Sequence, residues 1–207
     1  MSEHSLTNLG AGRLRTRDRI LDAAAELMRT RGIIRATTKE IAKAAGLSEA
    51  TLYKHFRDKE EMLLDVLRER MPGLPRVDVV PGTGSVGGNL ATLARATSDF
   101  YQETLPMLGS LLSEPQLMAA HRESLRKYGA GPQHAVARFT DYLRAERDLG
   151  RVSADADPDT AAALLVGACF QQAFLRYYAE GPDAAPAPQE TVAALTGMLV
   201  RALAVPE

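Results

Sequence analysis

The feature that most constrains the fold of this chain is the stretch at residues 37–59, TTKEIAKAAGLSEATLYKHFRDK. Thr37 and Glu40 have the spacing of a capping box, which begins a helix. Gly46 suits the position just after that helix, and Ser48 is a favourable N-cap for a second helix of about eight residues. Only residues 46–48 separate the two segments. The spacing therefore predicts a helix, a tight turn and a second short helix.

The second of these helices has the dimensions and side chains expected of a helix that enters the major groove of DNA. Eight residues span about 12 Å, which is close to the width of that groove. Leu47 and Leu52 are predicted to face the core, and the side chains left outside can donate to phosphates and base edges. Ser48 lies where the helix N-terminus can receive a phosphate, and Lys59 lies at the start of the next helix. The outward residues are Glu49, Ala50, Thr51, Tyr53, Lys54 and His55.

The rest of the chain is helical by pattern, without an alternating strand pattern or a repeat, so the predicted class is all-α. A disordered basic arm is expected over residues 1–14, followed by a helix-turn-helix domain over residues 15–71. Residues 72–88 contain three prolines and a glycine cluster and are predicted to be a flexible linker. A larger helical domain for ligand binding and dimerisation is predicted over residues 89–207, with Pro106 ending its first helix.

Charge is unevenly distributed between the two halves of the chain. Residues 1–70 carry 14 Lys and Arg against 11 Asp and Glu, whereas residues 71–207 carry 11 against 15. A weakly basic N-terminal module is consistent with a polyanionic partner. Arg13, Arg15 and Arg17 strengthen this interpretation because no acidic residue lies among them.

The run LSEATLYKHFRDKE, together with ILDAA, the turn at Gly32 and TTKEIA, resembles the helix-turn-helix signature of the tetracycline-repressor (TetR) family. The resemblance extends from about Arg17 to Leu67. It implies a three-helix DNA-binding domain, a fourth helix acting as a lever and a helical domain that forms a homodimer through its last two long helices. The residues that it places at the DNA are Thr38, Lys39, Ser48, Glu49, Ala50, Thr51, Tyr53, Lys54, His55 and Lys59.

The function that the resemblance implies is a repressor released from a palindromic operator when a small effector fills a pocket. The apolar and aromatic residues of the C-terminal half favour an apolar or aromatic effector. The expected pocket residues are Phe100, Phe139, Tyr142, Cys169, Phe170 and Ala173. The expected dimer face consists of Leu164, Leu165, Leu175, Tyr178, Leu195, Met198, Leu199 and Ala202.

Several classes of function are disfavoured by the sequence. The single cysteine, Cys169, rules out an internal disulfide and favours a cytoplasmic protein. Neither a signal peptide nor a membrane-spanning segment is predicted. The four histidines are not at metal-ligand spacing, no nucleophile motif is present, and residues 82–88 lack the spacing of a phosphate loop. Neither a cofactor nor enzymatic activity is expected.

Three alternatives remain open from the sequence. The chain could be a regulator that needs no ligand, or an activator, with a filled core in place of a cavity. It could be a protein-interaction module that has kept the fold and lost DNA binding, since Ala50 offers bases only a methyl group. An enzyme would require a catalytic constellation in residues 89–207.

Overall fold

The computed structural model describes residues 3–33 and 35–205, with side chains from residue 14 onward. Over these residues the secondary structure consists of nine helices and no strand, which confirms the all-α class. None of the helices in the described part of the chain combines the length and the apolar character needed to cross a membrane. The helices are α1 (Glu3–Arg31), α2 (Thr38–Ala44), α3 (Glu49–Leu52), α4 (Lys59–Glu69), α5 (Val86–Leu112), α6 (Pro115–Lys127), α7 (Gln133–Asp148), α8 (Pro158–Glu180) and α9 (Gln189–Ala202).

The first of two compact units, here the N-terminal unit, comprises residues 1–71 and 106–128. Its core is formed by apolar side chains of α1 to α4, joined by Met107, Leu111 and Leu117. The predicted helix-turn-helix domain ends at residue 71. Residues 106–128 pack with this unit because their buried apolar side chains complete its core.

The second unit, here the C-terminal unit, comprises residues 72–105 and 129–207. Within it α7 packs against α8, and α8 packs against α9. The fully buried Phe139 and Leu143 are four residues apart and so lie on one face of α7. Asp157 caps α8 by accepting hydrogen bonds from two backbone amides, and Pro158 occupies the first turn, where no amide hydrogen is needed.

α1 begins well before the position that the sequence predicts. The backbone is helical from Glu3, whereas the sequence predicts a disordered arm over residues 1–14. Residues 3–15 contain no proline, so no steric barrier ends the helix at its N-terminal side. Residues 1 and 2 lie outside the described residues.

The prediction that Pro106 ends a helix is wrong, because α5 continues through it to Leu112. Pro106 and its neighbours Leu105 and Met107 are all buried. Burial of these apolar groups on both sides of the proline outweighs the lost backbone hydrogen bond, so the helix persists.

The predicted linker over residues 72–88 has no regular structure before α5 begins at Val86, but it is packed. Leu74, Val77 and Val79 lie against the core of the C-terminal unit. The Arg138 guanidinium donates to the carbonyl of Pro75 and, over 2.9 Å, to that of Val77. This segment is therefore held along its length by α7.

The far end of the same segment is held by a buried carboxylate. Glu146 is fully buried, and its Oε1 accepts a 3.3 Å hydrogen bond from the backbone amide of Gly82. Arg151 Nε lies 3.3 Å from Oε2 of Glu146, and Arg151 also donates to the carbonyl of Gly84 over 2.6 Å. A buried charge needs such partners, so this ion pair fixes the turn before α5.

Candidate nucleic-acid interface

α2 begins with the predicted capping box. The Thr37 hydroxyl accepts a hydrogen bond from the Glu40 amide at 3.2 Å, and the Glu40 carboxylate accepts in return from the Thr37 amide and hydroxyl. These hydrogen bonds lower the pKa of Glu40. Reciprocal capping satisfies amides that would otherwise lack partners and fixes where α2 starts.

The turn after α2 is a Schellman motif. The Leu47 amide donates to the Ala42 carbonyl at 2.8 Å, and the Gly46 amide donates to the Lys43 carbonyl at 3.1 Å. Gly46 has φ of 66°, a conformation that glycine adopts without strain. Arg19 of α1 donates to the Ala45 carbonyl at 2.6 Å, which places a positive charge at the C-terminus of α2.

α3 is shorter than the eight residues that the sequence predicts. Its N-cap Ser48 accepts from the Thr51 amide at 3.2 Å, and regular helix ends at Leu52. After it the turns tighten, with the Lys54 amide bonded to the Thr51 carbonyl and the His55 amide bonded to the Leu52 carbonyl. The Phe56 amide also bonds to the Leu52 carbonyl. The chain turns early because Phe56 is drawn into the core, where its side chain is 2% exposed.

The helix-turn-helix segment separates cleanly into a buried and an outward side. Ile41, Leu52 and Phe56 lie in the core of the N-terminal unit, and Leu47 packs against it. Ser48, Glu49, Ala50 and Lys54 are exposed, together with Lys39 of α2. Tyr53 is 50% exposed, while Thr38, Thr51, His55 and Lys59 are partly buried. Nine of the ten residues predicted to contact DNA therefore lie on α2, α3 or their flanking turns, and the tenth, Lys59, is the first residue of α4. None of the ten is fully buried.

Three of these residues have partners that restrict what they can contact. The Thr38 hydroxyl donates to Glu49 Oε1 at 2.5 Å, which joins the first turns of α2 and α3. Lys59 Nζ donates to the Ile33 carbonyl at 3.2 Å, so its ammonium group is oriented toward the turn after α1. Two of its three hydrogens remain for a phosphate.

α4 begins with Asp58 as its N-cap, which accepts from the Glu61 amide at 2.8 Å. The Glu61 carboxylate does not accept from the Asp58 amide, as it would in a capping box; it accepts from the amide of Arg57, one residue earlier, at 2.6 Å. The cap of α4 therefore also fixes the turn that leads out of α3.

The sequence groups Arg17 with Arg13 and Arg15 as basic residues that favour a polyanionic partner, but the Arg17 guanidinium joins α1 to α4. It donates to both Glu69 oxygens at 2.8 Å and to Asp65 at 2.5 Å. Pairing with Arg17 and Arg68 lowers the pKa of Glu69 to about 2. Nothing local in the sequence indicates this pairing, because the partners are 48 and 52 residues from Arg17.

The predicted pocket residues of the C-terminal unit do not share one environment. Phe139, Tyr142, Cys169 and Ala173 are buried, whereas Phe100 and Phe170 are partly exposed and both contact the ring of Tyr101. Burial raises the pKa of the Cys169 thiol, as expected for a small buried hydrophobic group. Tyr142 alone of the six borders a shallow cleft of about 200 Å³, whose other lining residues are Val77, Val79, Pro81, Leu93, Arg138 and Asp141.

Most residues of the predicted dimer face are exposed in the single chain. Leu164, Leu175, Tyr178 and Met198 are large apolar side chains with at least half of their surface in solvent, and Ala202 is exposed. Leu195 and Leu199 are partly buried against the core of the C-terminal unit. Leu165 instead lies inside that core, 3% exposed, so its side chain is not available to a second subunit.

The described residues include no group of three or more His, Cys, Asp or Glu side chains arranged to hold a metal ion.

Two family models match the chain. Residues 20–66 match the model of bacterial regulatory proteins of the tetR family. Residues 110–202 match the C-terminal domain of AefR-like transcriptional repressors.

Among curated proteins, the HTH-type transcriptional regulator YvkB of Bacillus subtilis is 29% identical over 138 residues, which are 65% of this chain and 63% of YvkB. The HTH-type transcriptional repressor KstR2 of Mycolicibacterium smegmatis is 42% identical over 53 residues, 26% of each chain. The matches thus span less than two thirds of the length of these relatives.

A solved structure of a TetR-family transcriptional regulator from Mesorhizobium loti covers 92% of this chain and 95% of its own, with a TM-score of 0.69 and 20% identity. At this identity the comparison shows a shared fold. It extends the likeness over both units, beyond the helix-turn-helix segment that carries the sequence signature.

Proposed function

Because the chain belongs to the TetR family of bacterial regulatory proteins, we propose that it binds a palindromic DNA operator as a homodimer and regulates transcription from it. The observation that carries this proposal is the outward side of α2 and α3, where Lys39 on α2 and Tyr53 and Lys54 after α3 are exposed. The proposed partner is double-stranded DNA, and a regulator of bacterial genes would act in the cytoplasm.

The groups on this surface suit the two tasks of a recognition helix. Lys39 and Lys54 can neutralise phosphates, which supplies affinity without reading sequence. Ala50 can contact a thymine methyl group, and Glu49 can accept a hydrogen bond from the cytosine N4 amine. Residues at the N-terminal end of such a helix approach the base edges most closely.

Dimerisation is supported by the exposed apolar side chains of α8. Leu164, Leu175 and Tyr178 are eleven and three residues apart, which places them on one face of the helix. Exposed apolar side chains grouped on one face are typical of an interaction surface. A two-fold dimer requires a two-fold symmetric operator, with half-sites about one helical turn apart.

Control by a small apolar or aromatic effector, with release of a repressor from its operator, is the further part of the proposal. KstR2, similar over the helix-turn-helix region, is named as a repressor. In the C-terminal unit, Tyr142 and the cleft that it borders offer apolar walls with a few polar groups, the composition common to small-molecule sites. An effector changes DNA affinity only if it binds the two states of the protein unequally.

The test is selection of bound duplexes from a random DNA pool at two salt concentrations, followed by affinity measurements on the enriched sequence. We expect a palindrome. Lys54→Ala should weaken binding to it about tenfold, the effect of one lost phosphate or base contact. Lys127→Ala is the matched control, because it removes one exposed lysine from α6 of the same unit.

If only weak, salt-sensitive binding without an enriched sequence is found, the DNA-binding proposal fails and a protein-interaction role is favoured. A library of apolar compounds that leaves the affinity for the enriched operator unchanged would instead favour a regulator without an effector.

A further inference from the structure

We propose that Arg17 is a positioning residue that holds the segment after α3 in place against α4, so that DNA affinity depends on the carboxylates of Asp65 and Glu69. The inference rests on the proposed DNA-binding function. The inference predicts that removing a negative charge from this unit weakens DNA binding, whereas simple charge attraction predicts that it strengthens binding.

Arg17 is the point where three parts of the N-terminal unit meet. Its side chain leaves α1, and its guanidinium contacts Asp65 and both oxygens of Glu69 on α4. The same guanidinium lies over the ring of Phe56, 5.5 Å from the ring centre. The Phe56 amide is bonded to the Leu52 carbonyl, the last residue of α3. A shift of α4 that moves Arg17 is therefore transmitted to the end of α3.

This arrangement depends on the shape of the arginine side chain. A guanidinium is planar, so it can bind a carboxylate through two parallel hydrogen bonds while its face stacks on an aromatic ring. A lysine at the same position keeps the charge, but it loses both the paired hydrogen bonds and the stacking. The Arg17 side chain is 25% exposed, and those of Asp65 and Glu69 are 16% and 28% exposed, so solvent only partly screens the interaction.

A second set of ion pairs joins the same helices, but here the arginine is at the end of α4 and the acids are on α1. Arg70, at the end of α4, contacts Asp18 at 2.8 Å and Asp22 at 2.6 Å on α1. Each helix thus presents an arginine to two acids of the other. Crossed pairs of this kind resist sliding of α4 along α1, which leaves Phe56 with a defined position.

The sign of the effect separates positioning from direct contact. If Arg17 acted only as a positive charge near DNA, neutralising Glu69 would leave more positive charge and tighten binding. If Arg17 positions the segment after α3, loss of Glu69 frees the guanidinium and weakens binding. The two roles predict opposite changes for the same substitution.

The experiment measures affinity for the selected operator with the full-length chain, its Glu69→Gln and Arg17→Lys variants, and Glu26→Gln as a control. Glu26 pairs with Arg29 within α1, so its substitution removes the same charge without touching α4. We expect Glu69→Gln and Arg17→Lys to bind about fivefold more weakly, which corresponds to one partly exposed ion pair. The slope of affinity against salt should stay that of the wild type, because no phosphate contact is lost.

Hydrogen exchange of residues 49–56 in the free protein gives a readout that does not depend on DNA. Faster exchange in Glu69→Gln than in Glu26→Gln supports the inference, since it shows that the segment has lost its support. Equal or tighter DNA binding by Glu69→Gln overturns it, as does unchanged exchange. If the wild type selects no DNA, the proposed function fails, and exchange alone decides whether Arg17 holds this segment.

Discussion

At the scale of single residues, the helix-turn-helix depends on a few backbone positions whose side chains cannot be exchanged freely. Gly46 combines φ of 66° with a close approach to Arg19, since a Cβ atom there would lie 3.2 Å from its Nη2. That arginine caps the carbonyl end of α2. A side chain at position 46 therefore strains the backbone and displaces the cap together.

Gly46→Ala is expected to lower the free energy of unfolding by about 1 kcal/mol or more, because alanine adopts positive φ only with strain. Urea denaturation monitored by circular dichroism measures this change. Gly109→Ala is the matched control, since position 109 lies inside α5 and a Cβ there meets nothing within 4 Å. An equal loss in both variants would contradict the argument.

Glu69 should contribute to the loss of unfolding free energy at acidic pH. Its pKa is lowered from 4.5 to about 2 in the folded chain, so its stabilisation is complete above pH 4.5 and is lost as the pH falls toward 2. The difference in unfolding free energy between wild type and Glu69→Gln should be about 1 kcal/mol at pH 6 and shrink below pH 4.5. Chemical denaturation at pH 6, 4 and 3 measures it, and a difference independent of pH would contradict the assignment.

At the scale of elements, helix starts set by local hydrogen bonds could be predicted from the sequence, whereas contacts between residues far apart in the chain could not. The boxes and caps at Thr37, Ser48 and Asp157 use partners within three residues, so their spacing alone indicates where helices begin. Arg17 and Glu69 are 52 residues apart, and their pairing produces no periodic pattern in the sequence. The continuation of α5 through Pro106 could not be predicted for a similar reason, because it depends on tertiary packing around the proline.

The sequence predicts which residues lie on the outward side of α2 and α3 more directly than it predicts which residues line a cleft. A two-helix segment displays its outward residues by helical periodicity, so the residues around Lys54 could be named in advance. A cleft is formed by side chains from several elements, and Val77 and Val79 border it from a segment that the sequence describes only as a linker. Proline and glycine content predicts irregular backbone, but it does not predict whether that backbone packs.

The segment between α4 and α5 should be protected from proteases by Arg138. Arg138→Ala removes the donors to the Pro75 and Val77 carbonyls, so the chain on both sides of exposed Arg76 should loosen. Limited trypsin digestion should then cleave after Arg76 at least several times faster than in wild type, because cleavage follows local opening. Arg122→Ala, on α6, is the control, and equal cleavage in all three proteins would show that Arg138 does not hold the segment.

At the scale of the whole molecule, the proposed regulator needs two copies of the chain, because one α3 reads only half of a palindrome. The exposed apolar face of α8 is the surface proposed for contact with the second copy. Leu165, buried beneath it, supports that face from inside. Assembly and operator recognition should therefore fail together when the face is changed.

Leu164→Arg tests this dependence against Leu149→Arg, which places the same charge on an equally prominent leucine. Leu164 is 65% exposed on α8, and Leu149 is 57% exposed in the turn after α7. A charge buried without a partner in an apolar interface costs several kcal/mol, so Leu164→Arg should raise the dimer dissociation constant at least about tenfold. Sedimentation velocity over a concentration series measures this constant, and the operator affinity should fall in parallel. Leu149→Arg should remain dimeric, and a monomeric Leu149→Arg beside a dimeric Leu164→Arg would move the interface away from α8.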